Sequence, residues 1–239
     1  MPWWRPARER PADDAGTDDA DAEAGLAAAR ERMVRDQIER RGLTDPELLR
    51  AFRTVPRERF VDSPFAYGDQ ALPIDEGQTI SQPFIVAYMT DAARPTRPGG
   101  WRGARALDVG TGSGYQAAIL AELGAEVTSI ERYPELSVQA GEALRRAGFA
   151  DVRLVVGDGT RGVPEHAPYD AIIVGAAGPS VPEPLLAQLS PDGGKLVIPV
   201  GTREHQQLTV VRRRDDAYES KVREAVVFVP LIGDHGFRG

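Results

Sequence analysis

Short apolar runs alternate with helix-forming segments through the second half of the chain. Helical segments are predicted near residues 114–123, 134–147 and 182–189. Five strands are predicted around them, near residues 105–109, 126–131, 152–156, 170–174 and 195–200. This alternation is typical of an α/β fold in which a mostly parallel, twisted sheet has helices on both faces.

The two ends of the chain depart from this alternation. Gln207–Arg213 and Lys221–Val229 have strand composition with no helix between them, which predicts an antiparallel hairpin at the sheet edge. Leu26–Arg41 has helical periodicity, and Thr44 is expected to cap a second helix. A third helix is expected to run from Pro83 to about Ala93.

Residues 1–25 have the composition of a disordered tail. They contain three prolines, and Asp13–Glu23 holds six acids and no base, so this segment can bury little apolar surface. We therefore expect a tail over 1–25 and one domain over 26–239, divided into helices and a loop (26–100) and a sheet core (101–239). Apolar residues indicate that the loop within this domain packs against the core: Phe60, Val61, Phe65, Tyr67, Leu72 and Ile74.

Composition narrows the chemistry that the chain can perform. The formal net charge of −7 argues against nucleic acid as the main partner. The absence of cysteine excludes disulfides and thiolate nucleophiles, and three scattered histidines make a metal cluster unexpected. No apolar run approaches the roughly 18 residues of a membrane helix, and the first residues lack the apolar core of a signal peptide. We expect a cytoplasmic protein that does not bind membranes.

A glycine turn follows the first strand of the sheet core. Gly110, Gly112 and Gly114 alternate with other residues in GTGSG, and Asp108 precedes them. The turn does not continue as the dinucleotide pattern G-x-G-x-x-G, and no Lys-Ser/Thr pair follows. It therefore predicts close backbone approach to a ligand without a pyrophosphate, and S-adenosylmethionine fits that description. Asp108 could alternatively serve only to form the turn.

Two further acids follow the next strands. Glu131 lies 17 residues after Gly114, close to the spacing at which an acid accepts hydrogen bonds from ribose hydroxyls, although it could also be an ordinary helix-start acid. Asp158 and Gly159 follow the third strand, where the carboxylate could accept from an adenine amino group or form a simple D-G turn. All three strand ends are expected to meet at one crevice.

Two hydroxyl side chains stand in GQTISQPF, before the expected helix at Pro83. Thr79 and Ser81 could cap that helix or bind a ligand. No His/Asp pair stands near Ser81 to activate it, so we expect a hydrogen-bond donor rather than a nucleophile. His205 lies between two predicted strands and is expected to be a surface loop residue.

Several blocks, taken together and in this order, resemble a known family. They are MVRDQIERRGL, VPRERFV, ALPIDEGQTISQPFIVAYM, LDVGTGSGYQAAILAEL, VTSIER, VVGDGT, YDAIIVGAAG, LLAQLSPDGGKLVIPVG and VVFVPLIGDHGF. The family is that of the protein-L-isoaspartate O-methyltransferases, and the resemblance covers about Leu26 to Phe237. It implies a Rossmann-like class I methyltransferase fold and methylation, from S-adenosylmethionine, of the free α-carboxyl of L-isoaspartyl residues in damaged proteins.

The resemblance also implies residue roles. Ser81 is implied as the active-site residue, with Thr79 beside it at the substrate. Asp75 and Glu76 depart from the family pattern and would disfavour an anionic substrate unless they point outward. The implied cofactor contacts are Gln78, Thr79, Asp108, Gly110, Thr111, Gly112, Gly114, Glu131, Asp158 and Gly159.

Three alternatives remain open from the sequence. A relative that tailors one dedicated peptide, or a small-molecule methyltransferase, could share the fold, since fold does not fix the substrate. A non-catalytic cofactor-binding protein is the third. We expect isoaspartyl proteins and peptides as partners, and a monomer.

Overall fold

The computed structural model describes the backbone of residues 15–238 and the side chains of residues 21–238. The helices are α1 (Ala15–Met33), α2 (Pro46–Thr54), α3 (Pro83–Ala93), α4 (Tyr115–Glu122), α5 (Pro134–Ala147) and α6 (Glu183–Ala187). The strands are β1 (Leu72–Pro73), β2 (Thr79–Ile80), β3 (Arg105–Val109), β4 (Glu126–Glu131), β5 (Arg153–Val156), β6 (Ala171–Val174), β7 (Lys195–Gly201), β8 (Gln206–Arg214) and β9 (Ala217–Val226).

A seven-stranded sheet forms the centre of the fold. Its strand order is β5-β4-β3-β6-β7-β8-β9. The first five of these strands pair in parallel, and β8 and β9 pair antiparallel at one edge. The predicted α/β class and C-terminal hairpin are therefore confirmed. Strand β3 lies between β4 and β6, so the chain order reverses at its carboxyl end, where open α/β sheets bind ligands.

The central strands of the sheet are buried on both faces. Along β6, Ala171 and Ile173 belong to one apolar cluster, whereas Ile172 and Val174 belong to another on the opposite face. Side chains alternate between the faces of a strand, so this division follows from the period of two. A strand buried on both faces is apolar throughout, which explains why the sequence pattern located β6 well.

The N-terminal helix extends into the segment expected to be a tail. It begins at Ala15, and residues 21–28 are exposed. Alanine-rich sequence without proline favours the helix here, and acids suit the positive end of its dipole. The remaining tail residues, 1–14, lie outside the described part. After Met33 the helix widens into a π-helical turn (Val34–Ile38) and then tightens into a 3-10 turn (Glu39–Arg41), which ends at Gly42 with a φ of 95° that favours glycine.

Two local predictions in this region are wrong. Asp45, rather than Thr44, caps α2: its Oδ1 accepts a hydrogen bond of 2.8 Å from the amide of Leu48. Phe65 is 64% exposed, although Phe60 and other apolar residues of the loop are buried as expected. The loop itself contains a small hairpin, β1 paired with β2, which carries the GQTIS segment toward the sheet. Within residues 15–238, no helix is long and apolar enough to cross a membrane.

Candidate active site

The glycine turn joins β3 to α4 at the carboxyl edge of the sheet. Gly110, Gly112 and Gly114 have φ values of 92°, 51° and 88°, a region that side chains disfavour. At Gly114 an added Cβ would also lie 3.2 Å from Cγ of Leu144. The conformation of the turn therefore favours glycine at all three positions, and Gly114 also allows close packing against α5.

Asp108 is a buried acid at the end of β3. Its Oδ2 accepts a hydrogen bond of 2.8 Å from Ser129, whose hydroxyl shares a second bond of 2.6 Å with Thr111. Its Oδ1 is buried without a hydrogen-bond partner among the described groups. Burial raises the pKa of Asp108 to about 7; the nearby charge of Glu131 adds to this, whereas the Ser129 bond opposes it. Asp108 thus presents an unused acceptor at the crevice.

Glu131 supports the glycine turn from β4. Its Oε2 accepts from the amide of Gly112 at 2.9 Å, and its Oε1 accepts from the amides of Arg132 and Tyr133 at 2.8 and 3.1 Å. It lines a cavity of about 60 Å³, here named the Glu131 cavity. The other residues that line this cavity include Gln78, Thr79, Gly110, Gly112, Gly159 and Val229–Ile232.

Asp158 and Gly159 both follow β5, but only Gly159 lines the Glu131 cavity. Asp158 accepts hydrogen bonds from the amide and hydroxyl of Thr160 and from the amide of Asp234. Burial acts to raise the pKa of Asp158, but these hydrogen bonds outweigh it and the pKa lies below its usual value. Gly159 lines the Glu131 cavity, and a Cβ there would meet Cγ1 of Val109 at 2.7 Å. The carboxylate of Asp158 is thus largely used within the protein, and its adenine role stays a prediction.

Thr79 and Ser81 connect the crevice to an open groove. Both line a cavity of about 50 Å³ that also contacts Asp108 and the glycine turn, here named the Asp108 cavity. Both also line a groove of about 800 Å³, the Ser81 groove, whose far wall includes Thr202, Glu204–Gln207 and Ala225–Phe228. Ser81 is not the α3 cap, because Gln82 occupies that position. Thr79 additionally lines the Glu131 cavity, so all three spaces meet at this residue.

The two acids that departed from the family pattern point to solvent. Asp75 and Glu76 are exposed, and Asp75 accepts a hydrogen bond of 2.8 Å from Gln139 on α5. Neither lines the Ser81 groove. His205 is exposed in its loop as expected, but it also lines that groove.

Sequence reasoning missed several residues around the site. Phe228 lines both the Asp108 cavity and the Ser81 groove, and Val229–Ile232 close one side of the Glu131 cavity. Arg57 is fully buried and donates to the carbonyl of Ser81 at 2.8 Å. The apolar run VVFVPLI could have indicated that Phe228 and Val229–Ile232 line a buried site. Nothing in VPRERF distinguishes Arg57 from an ordinary surface arginine.

Comparisons with known proteins agree with this geometry. The family model of the protein-L-isoaspartate (D-aspartate) O-methyltransferases matches residues 28–236. The chain belongs to this family. It is 50% identical over 213 residues to the protein-L-isoaspartate O-methyltransferase of Methanoculleus marisnigri, covering 88% of this chain and 94% of the relative. It is 51% identical over 212 residues to the enzyme of Methanospirillum hungatei, covering 87% and 95%.

Solved structures show the same fold. A protein-L-isoaspartate O-methyltransferase aligns with a TM-score of 0.76 and 28% identity over 87% of this chain and 67% of its own. A Plasmodium falciparum protein described as a putative protein-L-isoaspartate O-methyltransferase, solved in complex with S-adenosyl-L-homocysteine, aligns with a TM-score of 0.73 and 24% identity. That alignment covers 85% of this chain and 98% of the Plasmodium chain. The Rossmann-like class I methyltransferase architecture is therefore confirmed.

Proposed function

We propose that this protein transfers a methyl group from S-adenosylmethionine to the free α-carboxylate of L-isoaspartyl residues in damaged proteins. The observation that carries the proposal is the position of Thr79 and Ser81. They face both the cavity beside the glycine turn and an open groove large enough for a peptide. A donor and an acceptor bound in these two spaces would meet at the two hydroxyls. Membership of the family supports this assignment.

The groups that line the crevice suit the cofactor in their chemistry. The positive φ values of the glycine turn leave its backbone free to approach a ligand. The unpaired Oδ1 of Asp108 suits a cationic amino group, and Glu131 retains acceptor capacity for ribose hydroxyls. Gln78, Gly110, Thr111, Gly112, Gly114 and Gly159 complete the proposed contacts. When bound, S-adenosylmethionine supplies an electrophilic methyl group on a sulfonium.

The chain itself then has to position and shield its substrate. An isoaspartyl carboxylate, with an ordinary pKa near 4, is already ionised at neutral pH, so no general base is required. Ser81 donates a hydrogen bond to one carboxylate oxygen and leaves the other free to attack. Such alignment contributes roughly 7–11 kcal/mol in well-oriented reactions. The neighbouring backbone amide nitrogen then attacks the ester carbonyl and expels methanol, and water opens the resulting succinimide in part to normal aspartate.

Ser81→Ala tests the assignment of the hydroxyl. We expect kcat to fall by about tenfold to a hundredfold, because one hydrogen bond to a charged group is worth about 1.5–3 kcal/mol, while the Kd for S-adenosylhomocysteine changes less than about twofold. Ser220→Ala, on the exposed strand β9, is the matched control and should leave both constants unchanged. Equal loss of cofactor affinity and turnover would contradict the proposed role.

Matched peptides test the substrate. Labelled S-adenosylmethionine should deliver base-labile methyl to an isoaspartyl peptide and not to its normal aspartyl counterpart. Transfer to a small acid alone would indicate a small-molecule enzyme, and cofactor binding without transfer would indicate a non-catalytic protein.

A cytoplasmic location and a monomer remain part of the proposal, and light scattering on the purified protein tests the monomer.

A further inference from the structure

Arg57 is a buried cation directly behind the hydroxyl segment. It lies just after α2 and is fully buried. Its Nε donates to the carbonyl of Ala66 at 2.7 Å, and its Nη2 donates to the carbonyl of Ser81 at 2.8 Å. The guanidinium carbon lies 4.9 Å from the ring centroid of Tyr115, the first residue of α4. Arg57 thus joins the loop, the Ser81 segment and the glycine-turn helix.

The charge of Arg57 has no carboxylate partner among the described residues. It forms no ion pair within them, and its Nη1 is buried without an acceptor. The adjacent Glu58 is already engaged by Arg30 and Tyr67. Burial lowers the pKa of Arg57, and the nearby groups that oppose this are Tyr115 and Tyr67. An arginine remains charged even so, which leaves positive potential in a weakly screened environment.

The substrate needs a cation at this place. The Asp108 cavity and the Ser81 groove carry the acids Asp108 and Glu204, and neither has a lysine or arginine among its described lining residues. A carboxylate entering here would meet two acids and no lysine or arginine in the described lining of either space. A buried ion without a partner is also a poor way to stabilise a fold, because an apolar residue of similar size often serves as well or better. Both points favour a role in the reaction.

We infer that Arg57 is a positioning residue that selects the ionised carboxylate of the substrate: it fixes the Ser81 backbone and supplies the positive potential that the groove lining lacks. This inference rests on the proposed function. Arg57 touches neither cavity, so it acts through Ser81 and through its field. It therefore governs the preference for an anionic acceptor over a neutral one of the same shape.

Two peptides separate this role from mere packing. One carries the L-isoaspartyl α-carboxylate, and the other carries a carboxamide in its place; their Kd values are measured by calorimetry with S-adenosylhomocysteine bound. The wild-type protein should prefer the carboxylate, and Arg57→Met should reduce that preference about tenfold with little change for the carboxamide. Arg57→Lys, which keeps the charge, should retain most of it. Equal weakening of both peptides by Arg57→Met, or an unchanged preference, would overturn the inference.

Control measurements keep the test decisive. Arg30→Met removes a neighbouring arginine that is paired with Glu58, and it should leave the peptide preference unchanged. If Arg57→Met does not fold, the salt dependence of the wild-type protein provides the test. Because salt screens a buried charge poorly, the preference of the wild-type protein for the carboxylate peptide should change less than about twofold between 50 and 500 mM salt. A fall of more than about fivefold would assign the preference to surface charge. Methyl transfer to the isoaspartyl peptide, measured separately, reports on the proposed function whatever the preference proves to be.

Discussion

Asp108→Asn should stabilise the ligand-free protein in a pH-dependent way. Burial raises the pKa of Asp108 from 3.8 to about 7. The folded protein therefore keeps a proton that the unfolded chain releases once the pH exceeds about 4. The free energy of unfolding of the wild-type protein falls as the pH rises between these values, and the loss is complete above about pH 7. Asparagine cannot ionise, so the variant lacks this contribution.

The magnitude follows from the size of the shift. A displacement of roughly three pKa units, at about 1.4 kcal/mol each, corresponds to about 4 kcal/mol at pH 8. That is a large share of the 5–15 kcal/mol by which domains are typically stable. At pH 4 the carboxyl is protonated in the folded state, so this contribution should be absent from the difference between the two proteins.

Urea unfolding of both proteins at pH 5 and pH 8 provides the assay. The advantage of Asp108→Asn should grow by a few kcal/mol between these values, and the exposed Asp151→Asn should show no such growth. Parallel stability curves for the wild type and Asp108→Asn would refute the reasoning. Asp108→Asn should also bind S-adenosylhomocysteine more weakly, because the side chain at position 108 no longer carries a negative charge. The wild-type aspartate would then favour ligand binding at the expense of stability.

Three further predictions concern the scaffold of the site. Glu131→Gln should raise the Kd for S-adenosylhomocysteine about tenfold, because a carboxylate accepts more strongly than an amide, and calorimetry showing unchanged affinity would contradict it. Gly159→Ala should destabilise the protein by about 1–3 kcal/mol in urea, since its Cβ meets Val109; an unchanged midpoint would count against that contact. Asp45→Ala removes the α2 cap and should cost about 1 kcal/mol with kcat/KM unaltered. Thermal unfolding checks the loss, and lowered kcat/KM would show that α2 reaches the site.

The sequence predicted the sheet better than the segments around it. Strands such as β6 are buried on both faces and therefore appear as continuous apolar runs. The glycine turn could be predicted from the sequence because few residues other than glycine adopt its positive φ values. Thr44 and Asp45 both suit the N-cap position of α2, so the sequence alone does not distinguish them. The structure shows that Asp45 accepts the hydrogen bond from the amide of Leu48.

Burial of polar and aromatic side chains in the loop could not be predicted, because distant segments decide it. Phe65 is predicted to pack against the core, yet it lies on the surface, whereas Arg57, in a segment rich in charged residues, is fully buried. The acceptor of Arg57, the carbonyl of Ser81, lies 24 residues away, and no local period connects the two. Asp158 is similar: the amide of Asp234 that occupies it comes from near the end of the chain.

The charges of the site are arranged for two ligands of opposite sign. Asp108 and Glu131 lie on the strand side of the crevice, where a sulfonium nucleoside would place its positive groups. Arg57 lies on the loop side, behind Ser81, where a carboxylate would arrive. The cationic amino group of the nucleoside offsets the charge of these acids, so it removes the repulsion that they would exert on an incoming carboxylate. The acceptor should accordingly bind more tightly once the nucleoside is in place, and the coupling must be reciprocal. Calorimetry of the peptide with and without S-adenosylhomocysteine measures it, and equal affinities would show that the two charge sets act independently.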